Sequence, residues 1–233
     1  MSDQNSTANQ LDFSSVLAAA AHDMKNSLCL LLQAIEDLSH QLPDDNDKAR
    51  NQVASVHYEA SRLNTNLVQM LSLYRSELDA LPITVDECFI SDLFEDVIGA
   101  NRLYTEQKSI QVDIEVDNDL TWYLDSELVF LLVNDVVINA LRYGTSRIRL
   151  SAHSENQQLV MRVEDDGPGY PQEMLDKSLA QLSEFQVSQG RTGLGLYFAR
   201  LIVEAHCRGQ HTGKISLSNG GMLGGSVFEV KLP

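Results

Sequence analysis

The chain of 233 residues is long enough for one large domain or two small ones. Its 33 acidic against 17 basic residues leave a formal net charge of -16, a surface that repels nucleic acid and anionic lipid and argues against both as partners. No apolar run approaches the roughly 20 residues of a membrane helix, the polar start MSDQNSTANQ lacks the layout of a signal peptide, and Cys29, Cys88 and Cys207 are too scattered for a zinc site or a disulfide framework. The expectation is a cytoplasmic protein with buried free thiols, no nucleic-acid partner and no direct membrane insertion.

Residues 1–10 read as a disordered leader, and a helical stretch follows over 11–42. The segment Pro43-Asp44-Asp45-Asn46-Asp47 breaks it with turn residues, Asp47 being placed to cap the next helix, over 48–80. On that second helix Ala49, Val53, Val56, Ala60, Leu63, Leu67, Met70 and Tyr74 alternate spacings of four and three, a heptad seam. Phe13, Leu17, Ala20, Met24, Leu28, Leu31, Ile35, Leu38 and Leu42 form a looser seam on the first. Two helices joined by a short turn make a hairpin. One hairpin has too little surface to bury both seams, whereas two make a four-helix bundle, so residues 11–80 predict a homodimer.

Composition changes at Leu81-Pro82, a domain boundary, with a linker and first strand over 81–90 and a second domain over 84–233. Strands are expected at 84–89 and 111–116 around a helix at 91–107, then an amphipathic helix at 125–143 and strands at 147–154 and 159–164. A glycine-containing loop, a Ser/Gln/Gly-rich stretch at 183–193, a helix at 194–206 and strands at 214–218 and 226–232 complete the chain. The pattern is that of a sheet covered on one face by helices, an α/β sandwich.

Four short segments carry chemistry. His22, in Ala21-His22-Asp23-Met24-Lys25-Asn26-Ser27, lies two residues past the seam position Ala20, about 200° around a helix, and so points away from the seam. A neutral imidazole is a competent nucleophile towards phosphorus, and the neighbouring Asp23 can orient it or take its proton; Asn26 lies one turn on. A lone surface histidine is more often without a role, so the weight rests on the other segments. Val163-Glu164-Asp165-Asp166-Gly167-Pro168-Gly169 places a carboxylate, Asp165, at a strand end, suited to an exocyclic amine such as that of adenine, with Gly167 and Gly169 where backbone must approach a ligand. Gly190-Arg191-Thr192-Gly193-Leu194-Gly195-Leu196 precedes an apolar helix, and backbone N–H groups at such a helix start favour phosphate. It is neither a Rossmann loop nor a P-loop, since it follows no first strand and lacks the G-K-[ST] ending. In Asn134-Asp135-Val136-Val137-Ile138-Asn139-Ala140-Leu141-Arg142-Tyr143-Gly144, Asp135 and Asn139 share a helix face and offer oxygen ligands for Mg²⁺ beside phosphates, with Arg142 within reach of the same phosphates.

Together these segments resemble the sensor histidine kinases of bacterial two-component systems, over nearly the whole chain from residue 11. His22 through Asn26 is similar to the phosphoacceptor box of their dimerisation and histidine-phosphotransfer hairpin, 139–143 to the N box, 165–169 to the G1 box and 192–196 to the G2 box. Val203-Glu204-Ala205-His206 and the closing Phe228-Glu229-Val230-Lys231-Leu232-Pro233 also match the family's usual ending. The resemblance implies a gyrase-like, Bergerat-type ATP-binding domain after the hairpin, with ATP and Mg²⁺ as ligands. It makes His22 the phosphoacceptor, Asp23 its acidic assistant and Asn26 the residue that positions water to dephosphorylate a partner. Asn139 becomes the Mg²⁺ ligand, Arg142 and Tyr143 nucleotide contacts, Asp165 the adenine-reading carboxylate with Gly167 and Gly169 around it. Thr192, Gly193, Leu194, Gly195 and Leu196 become the phosphate loop, and residues 178–192 the lid. The implied partners are a second copy of the chain, a response regulator accepting the phosphoryl group on an aspartate, and, with Met1 as the natural start, a separate sensor protein.

The pattern is not matched everywhere. Ser27 stands where the family usually has proline, which predicts a weaker bend. Arg191 replaces a glycine, Phe185 is a poor match to the box before the lid, and Asp135 replaces an asparagine. The last change makes Asp135 a second metal ligand or a base for ATP hydrolysis, since related ATPases carry a glutamate there. Two rivals therefore stand beside the kinase reading: a catalytically degenerate dimeric scaffold, and a gyrase-like ATPase or serine-directed kinase of the same superfamily.

Overall fold

A computed structural model describes residues 13–43, 46–78, 81, 83–144, 146–176 and 194–233, the side chains of 13–19, 21, 22, 71–78 and 194 excepted. The expected leader and the whole of the lid stretch 178–192, with Phe185, Arg191 and Thr192 in it, lie outside the described residues, as does Gly193.

Two long helices come first, α1 (Phe13–Gln41) and α2 (Asp47–Leu78). They pack antiparallel as a hairpin, pinned by His57 Nε2 at 3.2 Å from Glu36. The cap of α2 is Asn46 rather than Asp47: its Oδ1 accepts from the N–H of Ala49 at 3.2 Å, while Asp47 is already the first helical residue. Helix α1 runs unbroken through Ser27, whose hydroxyl donates back to the Asp23 carbonyl at 2.9 Å, so the backbone group a proline would have disturbed stays satisfied. Much of the heptad seam is open. Val56, Leu63 and Met70 are 55, 55 and 50% exposed, and Met24, Leu31 and Leu38 on α1 are likewise exposed.

The second unit is a mixed five-stranded sheet in the order β2-β4-β5-β9-β8. Its strands are β2 (Gln111–Glu115), β4 (Arg147–Glu155), β5 (Gln158–Asp165), β8 (Lys214–Asn219) and β9 (Ser226–Leu232). Only the β2–β4 pair is parallel. Alternation explains the layering. Ile148, Leu150, Phe228, Val230 and Leu232 point to one face and bury there against α3 (Ile90–Ala100), α5 (Ser126–Tyr143) and α7 (Leu194–Ala205), with Phe94, Phe198 and Ile202 at the centre. The other face is polar and laced by ion pairs: Arg149 between Glu164 and Glu115, and Arg162 on Glu229 at 2.6 Å. This is the one-face-covered sandwich expected from the pattern.

Several local details differ from the expectation. The first strand, β1 (Asp86–Phe89), does not join the main sheet but pairs with β3 (Thr121–Leu124), a strand too short to register as alternation. The single helix expected over 91–107 is two, α3 and α4 (Arg102–Lys108), because Asn101 turns its Nδ2 onto the Val97 carbonyl at 2.8 Å and Asn134 Oδ1 at 2.7 Å. A four-residue helix, α6 (Gln172–Leu175), and a small β6–β7 ribbon (Cys207–Arg208 with His211–Thr212) also escaped the pattern, and the thiols are not the buried ones expected: Cys207 on that exposed ribbon and Cys29 on α1 are exposed and Cys88 is half-buried. Among the described residues no helix is long and apolar enough to cross a membrane.

Candidate nucleotide site

The site forms where β5 stops. Asp165, its last residue, is 3% exposed. Oδ1 accepts from the N–H of Gly167 at 2.8 Å and of Ser226 at 3.2 Å, and Oδ2 accepts from the Ser226 hydroxyl. These bonds fix the carboxylate in place and leave Oδ2 with a lone pair for one more donor. The loop beyond is clamped by Asn219, whose side chain accepts from the Tyr170 N–H at 2.7 Å and donates to the Tyr170 carbonyl at 2.8 Å. Gly169 has φ +79 and packs on that same carboxamide; an added Cβ would sit 2.8 Å from it, so glycine is required twice over. Burial holds the Tyr170 hydroxyl well above its usual range; a bond with Ser226 opposes the rise and the charge of Asp165 adds to it.

Helix α5 supplies the opposite wall, started by Asp125, which caps the Leu128 N–H at 3.0 Å and also accepts from Thr84 N–H at 2.7 Å. Asn139 donates to the Asp135 carbonyl at 2.9 Å, and the Arg142 guanidinium lies 5.4 Å from the ring centre of Tyr143. Asp135 is half-buried by surface area, yet its carboxyl is enclosed between Gln69 of α2 and Gly195, where an added Cβ would meet Oδ2 at 2.4 Å. Desolvation raises its pKa from 3.8 to about 6, with Gln69 opposing.

Asp135, Asn139, Arg142, Tyr143, Asp165, Gly169, Gly195 and Leu196 all line one cavity of about 580 Å³, a volume suited to a small ligand. Gly167 supports it from behind through Asp165. Leu194 enters only as the first backbone residue of α7, its side chain lying outside the described ones, as Thr192 and Gly193 do altogether. A larger cleft of about 1020 Å³ lies around Arg149, Arg162 and Glu164, on the polar face of the sheet. His22 is on α1, its side chain outside the described ones; Asp23 and Asn26 are exposed on the same helix.

Oxygen donors suited to Mg²⁺ are present in Asn139 and Asp135, both lining the cavity. Among the described residues no three His, Cys, Asp or Glu side chains converge, so such an ion would take its remaining ligands from phosphates and water.

Sequence reasoning missed three parts of the site. Ser226 looked like an ordinary strand start, though the glycines at 224 and 225 before it hinted at close packing. Asn219 carried no signal. The largest omission is a second face of α2, carrying Asn51, Tyr58, Arg62, Asn66 and Gln69 at helical spacing, the last four lining the cavity. Through it α2 packs on α4, α5 and α7, with Tyr58 donating to the Ile138 carbonyl at 3.4 Å and Gln107 bonding Asn51. Its polar composition reads as a solvated face when only apolar periodicity is sought.

His206 also has a defined place. Nδ1 lies 2.7 Å from the Ile202 carbonyl and Nε2 3.0 Å from the Asp125 N–H. A carbonyl only accepts and an amide only donates, so the ring is neutral with its proton on Nδ1, tying the end of α7 to the start of α5.

Residues 124–233 match the family described as histidine kinase-, DNA gyrase B-, and HSP90-like ATPase. The chain is 30% identical over 237 residues to the adaptive-response sensory kinase SasA of Synechococcus sp. (strain JA-3-3Ab), covering 96% of this chain and 60% of that one. It is 27% identical over 176 residues to the signal transduction histidine-protein kinase AfsQ2 of Streptomyces coelicolor, covering 75% of this chain and 31% of that one. It thus spans less than two thirds of the length of either relative. Among solved structures, full-length ShkA in complex with AMPPNP aligns over 94% of this chain and 46% of its own at TM-score 0.63 and 20% identity. The Acinetobacter baumannii histidine kinase AdeS aligns over 91% and 96% at TM-score 0.58, also at 20% identity, a likeness of fold.

Proposed function

From the premise that the chain is related to sensor histidine kinases and that residues 124–233 form their type of ATPase domain, we propose that it binds ATP, phosphorylates His22 and passes the phosphoryl group to an aspartate of a response regulator. The observation that carries the reading is Asp165, held rigidly at a strand end in a cavity whose far wall is the hairpin that bears the histidine. The free lone pair of Oδ2 accepts from the exocyclic amine of adenine; guanine would present a carbonyl there and be repelled. The N-terminus of α7 and Arg142 act on the phosphates. Mg²⁺, held by Asn139 with Asp135 beside it, would neutralise charge on the phosphates.

In the chemical step a ring nitrogen of neutral His22 forms the N–P bond as the bond from the γ-phosphorus to the bridging oxygen breaks. ADP leaves, and the proton on the other ring nitrogen goes to Asp23 or to water. The open stripe of Val56, Leu63, Met70 and Leu31 is apolar surface that a second hairpin would cover, which supports a homodimeric four-helix bundle. The reading further includes a cytoplasmic setting and dephosphorylation of the regulator assisted by Asn26.

The test is incubation with γ-labelled ATP and Mg²⁺. Label that is acid-labile and alkali-stable, and absent in His22→Ala, is the expected result. Nucleotide binding without label would identify a degenerate scaffold. Phosphate release without label would favour the hydrolytic reading, for which enclosed Asp135 is the specific observation.

A further inference from the structure

The face of α2 that lines the cavity carries two buried donor atoms without a well-placed acceptor. Gln69 is 1% exposed, and its Nε2 meets no acceptor in full hydrogen-bond geometry; the group its carboxamide faces is the Asp135 carboxyl, whose rise in pKa it opposes. Nε of Arg62 is likewise buried and without an acceptor, while the end of the same guanidinium is held by Glu59 at 2.7 Å. An unpartnered buried donor carries the full cost of its desolvation. Two of them on one helix face, both lining one cavity, call for an explanation outside the chain.

The surroundings indicate what is missing. Arg142 lines the same cavity from α5, and the charges of Arg62 and Arg142 both act on the Tyr58 hydroxyl, so the two cations converge from opposite sides of the interface. Two carboxylates, Asp135 and Asp165, line the cavity as well, in a chain of net charge -16. A polyanion could be held here only by local cations and neutral donors. The hairpin register adds direction. His57 meets Glu36, and His22 lies fourteen residues before Glu36, which puts it level with Leu71, two residues past Gln69. Gln69 therefore sits within about one turn of the height of the histidine, and Arg62, nine residues from Leu71, about two and a half turns from it.

We propose that Arg62 and Gln69 of the hairpin bind the phosphate groups of the nucleotide, facing Arg142 across the cavity, so that docking of α2 is part of nucleotide recognition. The adenine end belongs to Asp165; the phosphate end lies between the two halves of the chain, with Gln69 near the level of the group that receives the phosphoryl. This rests on the ATP-binding reading above.

The test is calorimetric titration of the full chain with ATP, ADP and adenosine in Mg²⁺, for the wild type, Arg62→Ala and Gln69→Met. Methionine keeps the length and apolar packing of Gln69 and removes only the amide, and circular dichroism checks the fold of each variant. Each substitution should weaken ATP and ADP about tenfold, the scale of one charge-assisted hydrogen bond, and leave adenosine unchanged. Unchanged ATP affinity in folded variants overturns the proposal while leaving the ATP reading intact. Equal losses for ATP and adenosine overturn it too, since a loosened helix would affect both alike. A wild-type chain that binds no nucleotide removes both readings.

Discussion

The rings of Tyr58 on α2 and Tyr104 on α4 stack with centroids 4.5 Å apart and planes 27° from parallel, joining the hairpin to the sheet domain. Burial beside Tyr104 pushes the Tyr58 hydroxyl up to about 12, so it remains a donor to the Ile138 carbonyl throughout the physiological range. Tyr58→Ala should cost about 3 kcal/mol of docking, combining lost area with the aromatic pair. Tyr58→Phe, which removes one hydrogen bond, should cost about 1 kcal/mol. Hydrogen exchange over 102–108 reads the difference. Unchanged protection of α4 in Tyr58→Ala would mean that the stack does not hold the two units together.

Ser226 holds the Asp165 carboxylate through both its N–H and its hydroxyl. Ser226→Ala keeps the first bond and removes the second, freeing the carboxylate to turn. ATP affinity should fall about tenfold, near 1.4 kcal/mol. Asp165→Asn should do at least as much and also relax discrimination against GTP. A serine variant with wild-type affinity in calorimetry would show that Asp165 is held well enough by the backbone alone.

Asp135 gives the fold a dependence on pH. Its folded-state value, about 6, exceeds its ordinary 3.8, so the folded chain holds this proton more tightly than the unfolded one. The associated stability is fully present below about pH 4 and lost as pH rises through about 6. A shift of this size corresponds to at most about 3 kcal/mol, cut by half-burial and screening to about 1 kcal/mol. Asp135→Asn should therefore stabilise the chain by about 1 kcal/mol at pH 8 and by nothing at pH 4. Denaturant melts at the two pH values check the sign; an equal gain at both would point to packing instead.

The exposed seam predicts how the chain associates. Leu63→Lys, at a position 55% exposed here, should be harmless to the single hairpin but place a charge in the centre of a four-helix bundle. Light scattering should report a dimer for the wild type and a monomer for the variant, with helix content retained. A variant that stays dimeric would move the interface elsewhere.

Asn26 is exposed on α1, one turn after His22. Having no acid or base function, it should matter only when water must be aligned with a phosphoaspartate. Asn26→Ala should spare labelling of His22 and slow decay of the phosphorylated regulator. Equal decay with both proteins would leave the chain a kinase without that second activity.

What was legible in the sequence is what depends on local pattern. The heptad spacing on 49–74, the alternation in β4, β5 and β9, and glycines next to carboxylates each follow from the geometry of one element. They placed the hairpin, the one-sided sandwich and eight of the residues that line the cavity. Asn101 is legible only once Asn134, thirty-three residues away, is known to meet it and divide α3 from α4. Ser226 is legible only as the neighbour of Asp165, and Gln69 only as the cover on Asp135. Polar side chains do not announce their partners by periodicity. The hydrophobic effect that periodicity records is non-directional and roughly proportional to area, whereas a hydrogen bond needs a particular atom at a particular distance. The tertiary fold therefore decided which polar groups meet, and with them that the hairpin is one wall of the cavity.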